Sequence, residues 1–320
     1  MNVSVVIATA DRPTALEGTL RSLSACEPPT PGTSTIHVIV ADNGIDPGTR
    51  RVSETDYTAL RIEYLHVDRR GKTVAQNRAV EATDADFLVF TDDDVEFDPR
   101  WLAELTRAAR EWPENLLFGG RVLPIWPKGR PKHLADSSYL GLLFTRLDRG
   151  DEERPIPDFR PLGPNMAVRR EAFDRGVRFD ETIGPGSGGL PMGDELDITF
   201  QLEALGQTAV YVPRSRVYHR VRESQLSLRW QWKRGVDYGR MTGHFDRDAD
   251  VHRMLGVPRW VLRAIPIRCA EAGWNFLLGR RERAFDASMQ VAFAVGRARG
   301  SRQSGTRSPP KGTSETERHS

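Results

Sequence analysis

Three short apolar runs mark the first hundred residues: Val3 to Ala8, Ile36 to Ala41 and Phe87 to Phe90. Each is β-branched or aromatic and each ends in a polar cluster. Between them the apolar positions change to helical spacing. Pro13 opens a segment with Leu16, Leu20 and Leu23, Thr73 to Ala82 reads as a second helix, and Pro99 starts a third carrying Leu102 and Leu105. Apolar strands alternating with helices predict a buried, parallel sheet, and Pro suits the first turn of a helix. Further strands are expected at Leu116 to Val122, Leu162 to Val168 and Ala209 to Val212, and a helix at Asp194 to Leu205 that Gly206 stops from its C′ position.

Two stretches break this rhythm. Pro124 to Pro161 is Pro-rich and charged and reads as a long irregular excursion, the kind of loop that serves as a lid or partner surface. Beyond His219, Leu226 to Phe245 is aromatic and basic, and Trp260 to Gly296 mixes apolar residues with Arg at near-helical intervals. Residues 1–220 are therefore expected to form an α/β domain, 221–299 a helical extension, and the polar stretch 300–320 a disordered tail.

Composition narrows the class. The 320 residues carry 46 basic and 44 acidic side chains, a formal charge of +2, which gives no polyelectrolyte footprint for nucleic acid. The two cysteines, Cys26 and Cys269, have no CxxC partner, so neither a disulfide framework nor a structural zinc site is expected. The N-terminus reaches Asp11 too early for a signal peptide, and nowhere do about 20 apolar residues run together as a spanning helix requires. A cytoplasmic protein is expected, at most attached to the inner face of a membrane. Trp230, Trp232, Trp260 and Trp274, interleaved with Arg, could seat amphipathic C-terminal helices on anionic lipid; an ordinary packed subdomain explains them as well.

The chemistry gathers in acidic clusters. Asp92-Asp93-Asp94 directly follows the strand Phe87 to Phe90, and ligands of open parallel sheets bind beyond the carboxyl ends of strands. Three adjacent carboxylates repel unless a cation joins them, and hard oxygen ligands suit Mg²⁺ or Mn²⁺, which grip a diphosphate. An N-capping turn is the bland alternative. A second pair, Asp194-Glu195, opens a helix after the glycine-rich segment Gly184 to Gly189, read as a flexible flap over substrate. One carboxylate there is an ordinary helix-start charge; a second could be a general base, while Asp197 is read as structural. The glycines are not a dinucleotide fingerprint, since no apolar strand precedes them and the first strand ends without glycine. His219 closes the strand-like stretch from Ala209 and becomes a metal ligand only if it converges on Asp94.

Taken in order, these residues resemble glycosyltransferase family 2, the inverting family with the GT-A fold. Val5-Val6-Ile7-Ala8-Thr9-Ala10-Asp11-Arg12-Pro13 looks like its first strand and turn, and Val38 to Gly44 like its second strand, whose Asp42 would reach the nucleobase. Gly71-Lys72 to Asn77-Arg78 resembles the helix start flanking the base. By the same resemblance Asp92-Asp93-Asp94 is the DxD element, with Asp92 near the ribose and Asp94 on the metal. Gly163-Pro164-Asn165 to Arg170 matches the strand beside the donor sugar. Asp194-Glu195 corresponds to the family's acid pair in swapped order, which points to Glu195 as base and leaves Asp194 a rival. Val212 to His219 resembles the strand ending in a metal-binding histidine. Gln231-Trp232-Lys233-Arg234 departs from the Gln-x-x-Arg-Trp element of processive relatives.

The resemblance covers Val3 to Gly243 and implies a GT-A domain whose mostly parallel central sheet carries a helical C-terminal extension. It implies a metal-dependent inverting transfer of sugar from a UDP-, dTDP- or GDP-sugar to a glycan, lipid-linked or small-molecule hydroxyl. Thr9, Ala10, Asp11, Arg12, Asp42, Lys72, Asn77, Arg78, Asp92, Asp93 and Asn165 would face the donor, and Asp92, Asp94 and His219 would hold Mn²⁺ or Mg²⁺. Two rivals stay open. A sugar-phosphate nucleotidyltransferase would want a Gly-rich, Arg-containing loop after the first strand, which Ala8 to Arg12 lacks. A non-catalytic nucleotide-sugar-binding scaffold of the same fold would keep the site without turnover.

Overall fold

The computed structural model describes residues 1–29, 32, 34–131, 134, 139–246 and 252–303. The chain divides into two units, Met1–Gln231 and Trp232–Ser320. The first begins with β1 (Val3–Thr9), α1 (Pro13–Ser24), β2 (Ile36–Asp42), α2 (Pro47–Ser53), β3 (Leu60–His66), α3 (Lys72–Glu81) and β4 (Phe87–Thr91). It continues through β5 (Val95–Phe97), α4 (Trp101–Glu111), β6 (Leu117–Ile125), α5 (Leu140–Phe144) and β7 (Arg154–Pro155). After these come β8 (Met166–Arg169), α6 (Arg170–Asp174), α7 (Asp194–Ala204) and β9 (Val210–Arg220).

These strands form a nine-stranded sheet in the order β3-β2-β1-β4-β8-β6-β9-β5, with β7 on β9. The β3-β2-β1-β4 half is parallel, as expected. Past β4 the sheet turns mixed, because β8 runs antiparallel to both β4 and β6, and β9 is parallel to β6 but antiparallel to β5 and β7. Apolar continuity marks a buried strand without giving its direction.

Successive strand residues point to opposite faces, and both faces are covered. Val5, Ile7, Val38, Val40, Phe87 and Val89 pack with Leu16, Leu20 and Leu23 of α1 and Trp101, Leu102 and Leu105 of α4. Val6, Ile39, Leu88 and Phe90 pack with Val74, Ala75 and Val80 of α3 and Ile198 and Leu202 of α7. α7 ends as its sequence suggests. Gly206, at φ +77°, lets its N–H reach Glu203 O while the Gln207 N–H reaches Leu202 O, which satisfies the last carbonyls. The excursion from Pro124 to Pro161 is more ordered than expected where described, since it holds α5 and β7.

The second unit holds the rest of α8 (Leu228–His244), a two-stranded hairpin of β10 (Arg253–Met254) and β11 (Val257–Pro258), then α9 (Arg259–Leu277) and α10 (Arg281–Gln303). Residues 300–303, assigned to a disordered tail, instead extend α10, where Gly300 packs against α8. Residues 304–320 of that tail lie outside the described residues. Among the described residues no helix is long and apolar enough to cross a membrane.

Candidate active site

β1, β2 and β4 end together at Thr9, Asp42 and Thr91, where the chain steps from one side of β1 to the other. This reversal leaves a crevice beyond the strand ends. Asp92, Asp93 and Asp94 enter it from β4. Asp93 is drawn inward: it accepts from Thr9 Oγ1 at 2.6 Å and from Arg12 at 2.5 Å. Burial, only partly offset by Arg12, pushes its carboxyl up to about 6. Arg12 spans to Asp94 Oδ2 at 2.5 Å, so one guanidinium ties two of the three acids together.

Asp94 has a second partner. β5 turns straight back onto β9, pairing Val95 with His219, and this places His219 Nε2 3.3 Å from Asp94 Oδ1. Burial works to raise the Asp94 carboxyl, but the hydrogen bond and charge of His219, with Arg12, hold it well below the usual carboxylate range. Ligand atoms of Asp92, Asp94 and His219 lie within 4.8 Å of one another, and His219 Nδ1 is buried without a hydrogen-bond partner. Two carboxylates and an imidazole are an acceptable donor set for Mn²⁺ and, less ideally, Mg²⁺. The interacting groups of the crevice are Asp92, Asp93, Asp94, Asp194 and Glu195 against Arg12, Lys72 and His219, an excess of acid that a divalent cation would relieve. The residues fit the cofactor that the sequence implies.

Lys72 joins the two acidic clusters. It begins α3 after Gly71, whose φ of +131° an L residue rarely adopts. Its Nζ stands 2.8 Å from Asp92 Oδ1 and 3.4 Å from Asp194 Oδ2. Burial would lower this ammonium, but Asp194, Asp92 and Glu195 outweigh it and raise it well above its ordinary value. The backbone leaves room for it at Gly163, where an added Cβ would lie 3.0 Å from Nζ. Gly163 is held in turn by the Thr91 Oγ1 bond to Pro164 O.

Asp194 and Glu195 open α7 behind Gly193, which takes φ +105°. Their environments separate them. Asp194 is buried, yet Lys72 and a hydrogen bond from Glu195 overcome the burial and keep it ionised. Glu195 is partly exposed, and desolvation, then the Asp194 charge, push it up to about 8. The segment Gly184 to Gly189 is not the loose flap expected. Gly184 N donates to Leu190 O and Leu190 N to Thr182 O, while Pro185 O and Ile183 O accept from Lys72 N and Thr73 Oγ1. The glycines make a closed turn that braces α3 against α7.

Other residues assigned to the donor are turned to the fold. Asn165 is fully buried, its Oδ1 accepting from Trp101 Nε1 at 2.8 Å and its Nδ2 donating to Arg121 O and Ser215 O. It braces the 163–165 turn and has no free edge for a sugar. Asn77 spends its amide on both backbone groups of Phe179. Arg78 lies on the exposed side of α3 and pairs with Glu81. Asp11, at φ +56°, accepts from Ile45 N, Asp46 N and Arg70, and so closes the turn after β2 with Ala10 beside it. Asp42 stays at the crevice floor, bonded to Gly44 N and Tyr64 Oη. Sequence reasoning did not foresee that Lys72 bridges two acid clusters; the one available signal was a lysine directly behind a glycine at a helix start.

The family model described as "Glycosyl transferase family 2" matches residues 4–177. The succinoglycan biosynthesis protein ExoM of Rhizobium meliloti is 26% identical over 258 residues, 76% of this chain and 74% of that protein. The glucosyl-dolichyl phosphate glucuronosyltransferase of Haloferax volcanii is 23% identical over 237 residues, 72% of each. The crystal structure of GalNAc-T7 with UDP, GalNAc and Mn²⁺ superposes with a TM-score of 0.51 at 17% identity, over 76% of this chain and 48% of that one. With the family model spanning more than half its length, and with a mostly parallel GT-A sheet carrying the acids, this chain belongs to glycosyl transferase family 2.

Proposed function

We propose that this chain transfers a glycosyl group from a nucleoside diphosphate sugar to a hydroxyl of a lipid-linked acceptor, with a divalent cation bound and with inversion at the anomeric carbon. The observation that carries this reading is Lys72, which holds Asp92 and Asp194 in one crevice although they lie a hundred residues apart. Asp92, Asp94 and His219 would hold the cation; when bound, Mn²⁺ or Mg²⁺ neutralises charge developing on the leaving diphosphate. The Mn²⁺ and UDP in the GalNAc-T7 structure support this choice.

The chain's own groups divide the remaining work. Lys72 supplies a positive charge beside Asp92 for the departing phosphate. Glu195, the more accessible acid with a carboxyl near neutrality, takes the proton of the attacking hydroxyl, and Asp194 keeps it oriented. The acceptor oxygen bonds the anomeric carbon as the bond to diphosphate breaks, and one displacement inverts the centre. The dolichyl phosphate in one relative's name supports a lipid-linked acceptor.

A thermal-shift panel of UDP, dTDP and GDP sugars, with and without Mn²⁺, tests the donor site. One diphosphate nucleotide should stabilise the wild type only with metal and leave Asp94→Ala unmoved. Nucleotide-sugar binding without turnover across a broad panel of lipid-linked, glycan and small-molecule acceptors would favour the scaffold, and pyrophosphate release from a nucleoside triphosphate the nucleotidyltransferase.

A further inference from the structure

α9 carries a line of apolar residues that is largely exposed among the described residues, with Arg297 of α10 standing over the Trp260 ring at its start. Trp260, Ile267 and Trp274 recur every seven residues, which keeps them on one line of a helix to within about 20° per repeat. Ile267 and Trp274 are 62% and 64% exposed, and Phe276 and Leu277 at the helix end are 73% and 79% exposed. The opposite side is the packed one: Val261, with Leu262 and Ile265, meets Val257, Ala294 and Ala298. From Trp260 to Leu278 the stripe runs about 27 Å at 1.5 Å per residue. Glu271, paired with Arg268, interrupts the line between Ile267 and Trp274, and Pro266 lies within the helix; single exposed apolar residues are ordinary, whereas this many on one helix are not.

The hairpin before α9 adds a second apolar projection. Met254 and Leu255 stand exposed at its turn, and Leu255 takes φ +52°, a conformation that branched side chains rarely adopt. The surrounding charge is one-sided. Residues 252–283 contain seven arginines (253, 259, 263, 268, 280, 281 and 283) against Glu271 and Glu282. Arg259 and Arg263 are exposed beside Trp260. Two copies meeting stripe to stripe would set these guanidinium groups against one another, whereas anionic headgroups would pair them.

We infer that the α9 stripe and the β10–β11 tip form a docking surface for an anionic lipid bilayer, with α9 lying in the interface plane. Trp260 and Trp274 with exposed Ile267 between them, Phe276 and Leu277 at the end and Arg alongside suit an interfacial helix. This surface belongs to the C-terminal unit alone, so failure of the sugar-transfer reading would leave it standing.

Flotation of the full chain with vesicles tests it. The wild type should float with phosphatidylcholine vesicles containing roughly 30% phosphatidylglycerol, should not float with phosphatidylcholine alone, and should release as salt rises. Ile267→Asp combined with Trp274→Ala should cut bound protein by about tenfold with an unchanged melting midpoint, since both side chains face outward. Arg259→Glu with Arg263→Glu should do the same, and Asp94→Ala should float like the wild type. Equal flotation of the stripe variant would overturn the inference. So would no flotation, and a concentration-dependent dimer abolished by Ile267→Asp would then assign the stripe to a second copy.

Discussion

Lys72 Nζ stands 3.4 Å from Asp194 Oδ2, where the carboxylate is buried and the lysine side chain is 17% exposed. Removing one partner of a buried pair strands the other and costs about 3–5 kcal/mol. Lys72→Met should therefore lower stability to urea at pH 7 by that order. The Asp194 carboxyl is depressed, so its contribution exists above the ordinary 3.8 and is lost as the pH falls through the folded value. The ammonium is raised, so its contribution exists below the ordinary 10.5 and is lost as the pH climbs through its folded value. The gap between wild type and variant should be widest between these limits and narrow towards acid. A pH-independent gap would mean that only the aliphatic stem of Lys72 matters.

Glu195 has the opposite sign. Its folded carboxyl sits near 8, above the ordinary 4.5, so between those values the folded chain binds the extra proton and loses stability as the pH rises. Glu195→Gln removes that penalty. Its melting midpoint should exceed the wild type's by more at pH 8 than at pH 5, while turnover falls about 10²–10⁴-fold. In the wild type, kcat/KM should rise with pH up to about 8. A variant that melts earlier at pH 8, or keeps its turnover, would transfer the base role to Asp194.

The parallel half of the sheet was legible because a fully buried strand writes itself as an apolar run, and Val3–Thr9, Ile36–Asp42 and Phe87–Thr91 do so. β3 writes no such run, since Arg61 and Glu63 break the apolar stretch Leu60–His66 at the sheet edge; only its shorter alternation marks it. The direction of β8 was hidden because pairing sense depends on the path of the connections rather than on side-chain polarity. In the site, the acid clusters could be read from spacing. That Asn165 and Asn77 face inward could not, because an amide serves a ligand and a backbone equally well. The partners of Lys72 depend on a tertiary contact among α3, β4 and α7.

His219 is in register with Val95 of β5, and Asp94 directly precedes that strand, so the paired strands hold the two ligands together and make the metal site testable atom by atom. Asp94→Asn should abolish Mn²⁺-dependent stabilisation by the diphosphate nucleotide and reduce turnover by about 10²–10³-fold. His219→Ala should weaken apparent Mn²⁺ affinity by at least ~10-fold, with turnover partly recovered at high Mn²⁺. Chelation of wild-type enzyme should reproduce the Asp94→Asn result and reverse on adding metal. Unchanged Mn²⁺ affinity in His219→Ala would confine its role to fixing Asp94.

Two glycines of the C-terminal helices should respond to alanine substitution in opposite directions. Gly239 of α8 faces α10 so closely that an added Cβ would lie 2.1 Å from Phe293 O, and the reciprocal position, Gly296, would meet Val236 O at 2.0 Å. Both obstacles are helix backbone and cannot swing aside. Gly273 of α9 has nothing within 4 Å of its Cβ position. Alanine is intrinsically better than glycine in a helix by about 1 kcal/mol. Gly273→Ala should therefore stabilise the C-terminal unit by roughly that amount. Gly239→Ala should destabilise it by about 1–3 kcal/mol despite the same gain in propensity, since the helices must separate. Hydrogen exchange of α8 and α10 amides, read beside the thermal midpoint, measures both. If the two substitutions shift stability in the same direction, helix propensity rather than close backbone packing governs these glycines.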